Sequence, residues 1–346
     1  MSFFNGLFGR KKSESVVFID IGTGSVAGAY AQFTQGDQPV MHYTRRLPIE
    51  IRTSEPHEDA MLRALGILGE VLIREGAPVL MRNTGSGSVD TVLVSVDAPW
   101  QKTSVRTEYF EQKEPFIFNK SMVNTALEKT STAPPGQLLA DESIIGTILN
   151  GYETKDPYGK ETRRASIIVL TSLIDEKVAQ GIQKILRGLY HTKNILTIAG
   201  SSLRYQAMRI AFPHERDALI LDATGPLTSI ALVRRDLLVD VVEIPVHRAG
   251  TAVWLKTLTD ELAELAQRFP LPRTIFLLAR EPNVISLRET LDEAELGKLW
   301  LSDNPPKIVS VLSSHLVGLV RSATTASPDI SLLLMALYFE RRSAED

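Results

Sequence analysis

A short apolar run ending in aspartate, a turn of small residues and a second apolar run occur twice in this chain. The first copy is Val16-Val17-Phe18-Ile19-Asp20-Ile21-Gly22-Thr23-Gly24-Ser25-Val26. The second, more divergent, is Ala218-Leu219-Ile220-Leu221-Asp222-Ala223-Thr224-Gly225-Pro226-Leu227-Thr228-Ser229-Ile230. Each reads as strand, tight turn and strand, with a carboxylate at the mouth of the turn. A chain of 346 residues is long enough to build two such halves. Two facing turns, each with an aspartate and bare backbone N–H groups, make the kind of cleft that a metal–phosphate ligand needs.

The surrounding order repeats as well. Residues 16–21, 26–33 and 40–47 read as three strands, followed by a helix over 56–74 and a strand over 91–96. Met61, Leu65, Leu68 and Leu72 form the inward stripe of that helix, and Gly76 with Pro78 is expected to end it. The same sequence of elements is predicted for 218–222, 228–233, 238–244, 251–269 and 274–278, which is best explained by an internal duplication. Ahead of the strand over 91–96, Asn83-Thr84-Gly85-Ser86-Gly87-Ser88 reads as the clearest flexible break in the chain. Strands over 101–110 and 144–152 and a helix over 120–129 then suggest a small inserted module. An α/β alternation resumes with a strand over 165–170, a helix over 175–189, a strand over 195–199 and a helix over 203–210. Helices are expected at 286–296, 308–320 and 331–341. The stripe Leu333, Leu334, Leu337 and Tyr338 of the last reads as packing between domains. The resulting division is a tail (1–15), a first domain (16–88 and 165–215), an insert (89–164) and a second domain (216–346).

Composition removes several function classes. A net charge of −3 with no basic face argues against nucleic-acid binding. The absence of Cys excludes disulfides and thiolate chemistry, and the 6 His are scattered without metal-ligand spacing. No apolar run approaches the ~20 residues of a membrane-spanning helix, and the start lacks the features of a signal peptide, so the chain reads as cytoplasmic. The tail carries Phe3, Phe4, Leu7 and Phe8 beside Arg10, Lys11 and Lys12. As a helix it suits the surface of an anionic membrane or a partner's groove; with Gly6 and Gly9 it equally suits a disordered leader. Gly22-Thr23-Gly24 precedes a strand and is no dinucleotide fingerprint, and neither a Walker A loop nor a Gly-x-Ser-x-Gly elbow is present.

The run Asp20-Ile21-Gly22-Thr23-Gly24-Ser25-Val26 resembles the first phosphate loop of the actin-like ATPase superfamily. Gly151-Tyr152 with Lys155-Asp156-Pro157-Tyr158-Gly159, and Ile244-Pro245-Val246 with Gly250-Thr251, are similar to segments of its FtsA and PilM branches. The resemblance implies an α/β fold of duplicated actin-like (ribonuclease H-like) domains with a small inserted α+β, SHS2-like subdomain. It also implies that ATP and Mg²⁺, if bound, lie between the loops. Asp20 would hold the metal through water, the N–H groups of Gly22, Thr23, Gly24 and Ser25 would cradle phosphate, and Asp222, Gly225 and Thr228 would face them. On the residues alone, Asp20 and Asp222 could equally close β-turns through local N–H bonds.

Three departures weaken the enzymatic side of the resemblance. Pro226 has no N–H to give a phosphate, and Thr224 and Leu227 put side chains where close backbone approach is wanted. The adenosine loop, a Gly-Gly turn in the superfamily, is Ala279-Arg280-Glu281-Pro282 here, and the mobile outer subdomain of the second half has no room between 269 and 274. No catalytic residue can be named. The implied role is therefore a cytoplasmic scaffold at the inner face of the membrane, with ATP binding weak or lost. A type IV pilus platform is preferred over the division machinery. Its expected partner is the cytoplasmic segment of a PilN-like membrane protein or a divisome component, docked on residues 91–159, with self-association and peripheral membrane contact as further expectations. The alternative is an active ATP-binding actin-like ATPase or a sugar-kinase-like enzyme.

Overall fold

The computed structural model describes residues 13–130, 133–154, 156–245, 251–301, 305–324 and 329–345. The tail residues Phe3, Phe4, Leu7, Phe8, Arg10, Lys11 and Lys12 lie outside them, as do Val246 and Gly250. The chain opens with an antiparallel meander of β1 (Ser13–Ile21), β2 (Ser25–Thr34) and β3 (Val40–Pro48). Helix α1 (His57–Val71) passes through a π-helical turn into α2 (Ala77–Thr84), and β4 (Thr91–Val96) returns parallel to β1. Five elements follow: β5 (Gln101–Ile117), α3 (Lys120–Thr130), β6 (Gln137–Leu149), β7 (Tyr152–Glu153) and β8 (Glu161–Asp175). Next come α4 (Glu176–Tyr190), β9 (Ile195–Ala199) and α5 (Gly200–Ala211). The second half consists of β10 (Ala218–Asp222), β11 (Leu227–Arg234), β12 (Leu237–Pro245), α6 (Thr251–Arg268), β13 (Thr274–Leu278), α7 (Glu281–Glu293) and β14 (Lys307–Ser310). The chain closes with β15 (Arg321–Ser322) and α8 (Ile330–Glu345).

The duplication extends to sheet order and register. The first sheet runs β15-β3-β2-β1-β4-β9 and the second β12-β11-β10-β13-β14. Apart from the short β15, both therefore place a meander's third, second and first strands beside two parallel ones. Asp20 pairs with Ala27 and Asp222 with Ser229, seven residues on in each copy. The register shifts after Tyr30 in one sheet and after Leu232 in the other, again at matching distances from the aspartate.

Strand periodicity explains the layers. In β1, Val17, Ile19 and Ile21 point to a core with α1 and α4, whereas Val16 and Phe18 point the other way. In β10, Leu219 and Leu221 join a core with α6 and α7, while Ala218 and Ile220 face inward. The two inward faces share one core, filled by α5 and α8. Helix α8 is buried from Ile330 through Phe339, as expected of a helix that is apolar all round and enclosed on all sides. Its Leu333, Leu334, Leu337 and Tyr338 pack in that core.

The structure corrects several boundaries. Gly76 and Pro78 do not stop the helix, which continues to Thr84: the π-turn shifts its register, and Pro78 falls in the first turn of α2, where no N–H is needed. Gly76 serves packing, since a Cβ there would lie 2.6 Å from the ring of Tyr30. β4 belongs to the first sheet, so the insert begins after residue 96 rather than at 89. β8 runs unbroken across the expected boundary at 164/165 as the central strand of the inserted sheet β5-β8-β6-β7. The helix expected over 308–320 is instead β14 and a 3₁₀ turn (Ser313–Leu316), because the β-branched Ile308 and Val309 fill the fifth place of the second sheet. Residues beyond 320 do not stay with the second half: β15 pairs with β3, and α8 packs on α5, β1 and β2.

Candidate functional site

Each aspartate stands at the end of the first strand of its sheet, and the duplication brings both ends to one cavity. Asp20, Gly22, Thr23, Gly24, Ser25, Asp222, Gly225 and Thr228, the residues singled out in the sequence, all line it. The first loop is pinned by its carbonyl groups: Trp100 Nε1 donates to Gly22 O at 3.3 Å, His57 Nε2 lies 3.0 Å from Thr23 O, and Ile49 N donates to Gly24 O at 3.0 Å. In the second loop, the Asp222 carboxylate accepts from the N–H and hydroxyl of Thr224 at 2.9 and 2.6 Å, the local turn closure that the residues alone allowed. The hydroxyl of Thr228 accepts from Trp254 Nε1 at 2.9 Å.

Arg280 was visible in the sequence at the place of the adenosine loop; what the sequence did not disclose is that Arg204 and Arg46 join it inside the cleft. Arg204 of α5 is 4% exposed. Its Nη1 and Nη2 donate to the two oxygens of Asp97 at 2.7 and 2.8 Å, and its Nε faces the Asp222 carboxylate. Nη2 also lies 3.7 Å from Asp20 Oδ1, an oxygen that accepts no hydrogen bond. Arg46 of β3 donates to Asp20 Oδ2 at 2.9 Å, to Ser25 Oγ at 2.8 Å and to both oxygens of Asp329 at 2.6 and 3.0 Å. Arg280, at the start of α7, reaches across from the second half to Ser25 Oγ at 2.6 Å.

The charges are mutually set. Burial opposes the charge on Arg204, and the carboxylates of Asp222, Asp97 and Asp20 more than reverse this, holding the guanidinium fully protonated. The same balance with Asp329 and Asp20 holds Arg46 charged. Burial pushes Asp97 up to about 6, with Arg204 opposing and Asp20 adding to the rise. Glu243 of β12, also on the cavity wall, is pushed up to about 7 by burial and then by Asp97.

These residues do not fit a magnesium–nucleotide. A guanidinium already lies between the carboxylates of Asp97 and Asp222 and beside Asp20. The ring of Pro226 closes on the first loop so tightly that a Cβ on Gly24 would lie 2.8 Å from it. Between the two aspartate loops the open space amounts to about 40 Å³, room for about three waters; a further cavity of about 250 Å³ adjoins it at Arg46, Thr224 and Arg280. Among the described residues no group of three or more carboxylate or imidazole side chains is arranged to hold a metal. Arg204 was easily passed over because its partners come from β1, β10 and the segment after β4, while its neighbours Leu203 and Tyr205 read as ordinary core. A charged residue inside the apolar run of a core-facing helix was the available sign.

No protein-family model matches the sequence, and no curated protein matches it. Solved structures do. A chain of a PilM–PilN type IV pilus biogenesis complex aligns over 96% of this chain and 99% of its own length, at 14% identity and a TM-score of 0.56. A Bacteroides thetaiotaomicron protein with actin-like ATPase fold and unknown function aligns over 97% and 99%, at 10% identity and a TM-score of 0.48. The cytoplasmic domain of EpsL, an inner membrane component of the Vibrio cholerae type II secretion system, aligns over 95% and 95%, at 9% identity and a TM-score of 0.40. The last two overlays are too loose to argue from. With the duplicated sheets, the likeness shows the fold: it is actin-like, with two related halves and an inserted module.

Proposed function

We propose that this protein is an actin-like scaffold of the PilM type, which organises a membrane-associated assembly by binding the cytoplasmic segment of a membrane protein. A type IV pilus platform is preferred over the division machinery. The observation that carries this reading is the cleft. Arginines occupy the space between its aspartates, which leaves protein contact, rather than nucleotide turnover, as the work of the fold. The match to a PilM–PilN chain over nearly the full length of both supports the pilus version. Among the described residues, no helix is long and apolar enough to cross a membrane.

The inserted module is the proposed docking surface. α3 covers one face of its sheet, packing on Leu149, Ala165, Ile167 and Val169. On the other face, Tyr109 lies opposite Ser166, beside Ile148. Tyr109 is 80% exposed, and a solvent-facing aromatic of this kind is a natural binding anchor. Fluorescence anisotropy with a labelled peptide from the cytoplasmic segment of a PilN-like membrane protein tests the proposal. Saturable binding is expected, weakened by roughly tenfold or more in Tyr109→Ala, with the melting temperature unchanged. Absence of binding together with Mg–ATP hydrolysis would favour the ATPase or sugar-kinase-like alternative.

A further inference from the structure

We infer that Arg204 is a resident cation that takes the place of a metal in the aspartate cleft and bolts the two halves of the molecule closed without any ligand. The inference concerns the conformational state of the chain and stands whether or not the docking proposal holds.

Four features support it. Arg204 contacts carboxylates of both halves: Asp97 and Asp20 from the first and Asp222 from the second. The planar fork matches the Asp97 carboxylate with two parallel bonds, a geometry that lysine cannot copy. A second tier then fixes the first. Arg46 holds the far oxygen of Asp20 and clamps Asp329 ahead of α8, and Arg280 of the second half grips Ser25 of the first. Finally, α5 begins at Gly200, where a Cβ would overlap both the Asp97 carboxylate and the Arg204 guanidinium. The ion pair thus fills the space that a side chain at residue 200 would take.

One acceptor is left over. Asp20 is 2% exposed, and its Oδ1 has no hydrogen bond, with Arg204 at 3.7 Å as its neighbouring cation. Removing the guanidinium would leave the buried carboxylates of Asp20 and Asp222 and the half-buried one of Asp97 without their shared counter-charge. That arrangement should either open the cleft or recruit a divalent cation, since oxygen ligands suit hard cations.

Two measurements on the full chain test this: hydrogen–deuterium exchange of the loops after β1 and β10, and Mn²⁺ binding followed by electron paramagnetic resonance. The wild-type protein should bind no Mn²⁺ at millimolar concentration, and its loops should stay protected without ligand. Arg204→Ala should accelerate loop exchange by roughly tenfold or more and gain Mn²⁺ binding that restores protection. If that variant fails to fold, Asp222→Asn keeps the shape but removes the charge across the halves, and the same acceleration is expected. Mn²⁺ binding by the wild type that is lost in Asp20→Asn would overturn the inference. So would wild-type loop exchange in either folded variant.

Discussion

Arg204 is the residue on which most of the cleft depends. Removing one member of a buried ion-paired set costs about 3–5 kcal/mol, because the partners are left uncompensated. Arg204→Ala is therefore expected to lower unfolding stability by about that amount in urea titration. Arg204→Lys should lose less, keeping the charge but not the paired bonds to Asp97. Glu243 gives a pH signature. Burial, with Asp97 adding and Lys102 opposing, raises its carboxyl from 4.5 to about 7. Between those values the folded protein holds a proton that the unfolded chain releases. Its contribution to stability is thus complete below pH 4.5 and is lost as pH rises through about 7. Glu243→Gln should raise the melting temperature at pH 8 and flatten its decline between pH 5 and 8; an unchanged profile would remove Glu243 from the account. His42 acts in the opposite sense: burial and then Arg321 lower its pKa, so stability is lost as pH falls below 6.5.

At the scale of elements, the first strands of both halves were legible because each is an unbroken apolar run that ends in aspartate. The segment 308–320 was not, since a short apolar run fits a helix as well as a buried strand until the neighbouring strand is known. Gly76 misled for a similar reason. A glycine that ends a helix and one that lets it approach a sheet look alike in sequence, and only the ring of Tyr30 distinguishes them. Gly76 has helical backbone angles (φ −82°, ψ −43°), which alanine favours, so a cost of about 1–3 kcal/mol for Gly76→Ala would report overpacking against the ring. Helix α8 makes a complementary case. Leu332 is completely buried in the core shared by both sheets, and Leu332→Ala should destabilise by about 2–5 kcal/mol in the same urea assay.

On the scale of the whole molecule, duplication, insertion and the facing loops could be read from the sequence, but the chain's return could not. β15 and α8 follow the second half in sequence yet complete the sheet and core of the first, so the two halves are tied by a shared core as well as by the cleft. The insert adds a third tie: Val105 and Ile145 pack on the shared core, and Gly146 lies against Leu237. Such a molecule has little need of a nucleotide to hold it closed. The most direct test is a thermal-shift titration of the full chain with Mg–ATP into the millimolar range. A ligand at 100 times its Kd adds about 2.7 kcal/mol of stability, a plainly visible shift. The melting temperature is expected to stay where it is at every concentration; a saturable rise that disappears in Asp20→Ala would contradict the account.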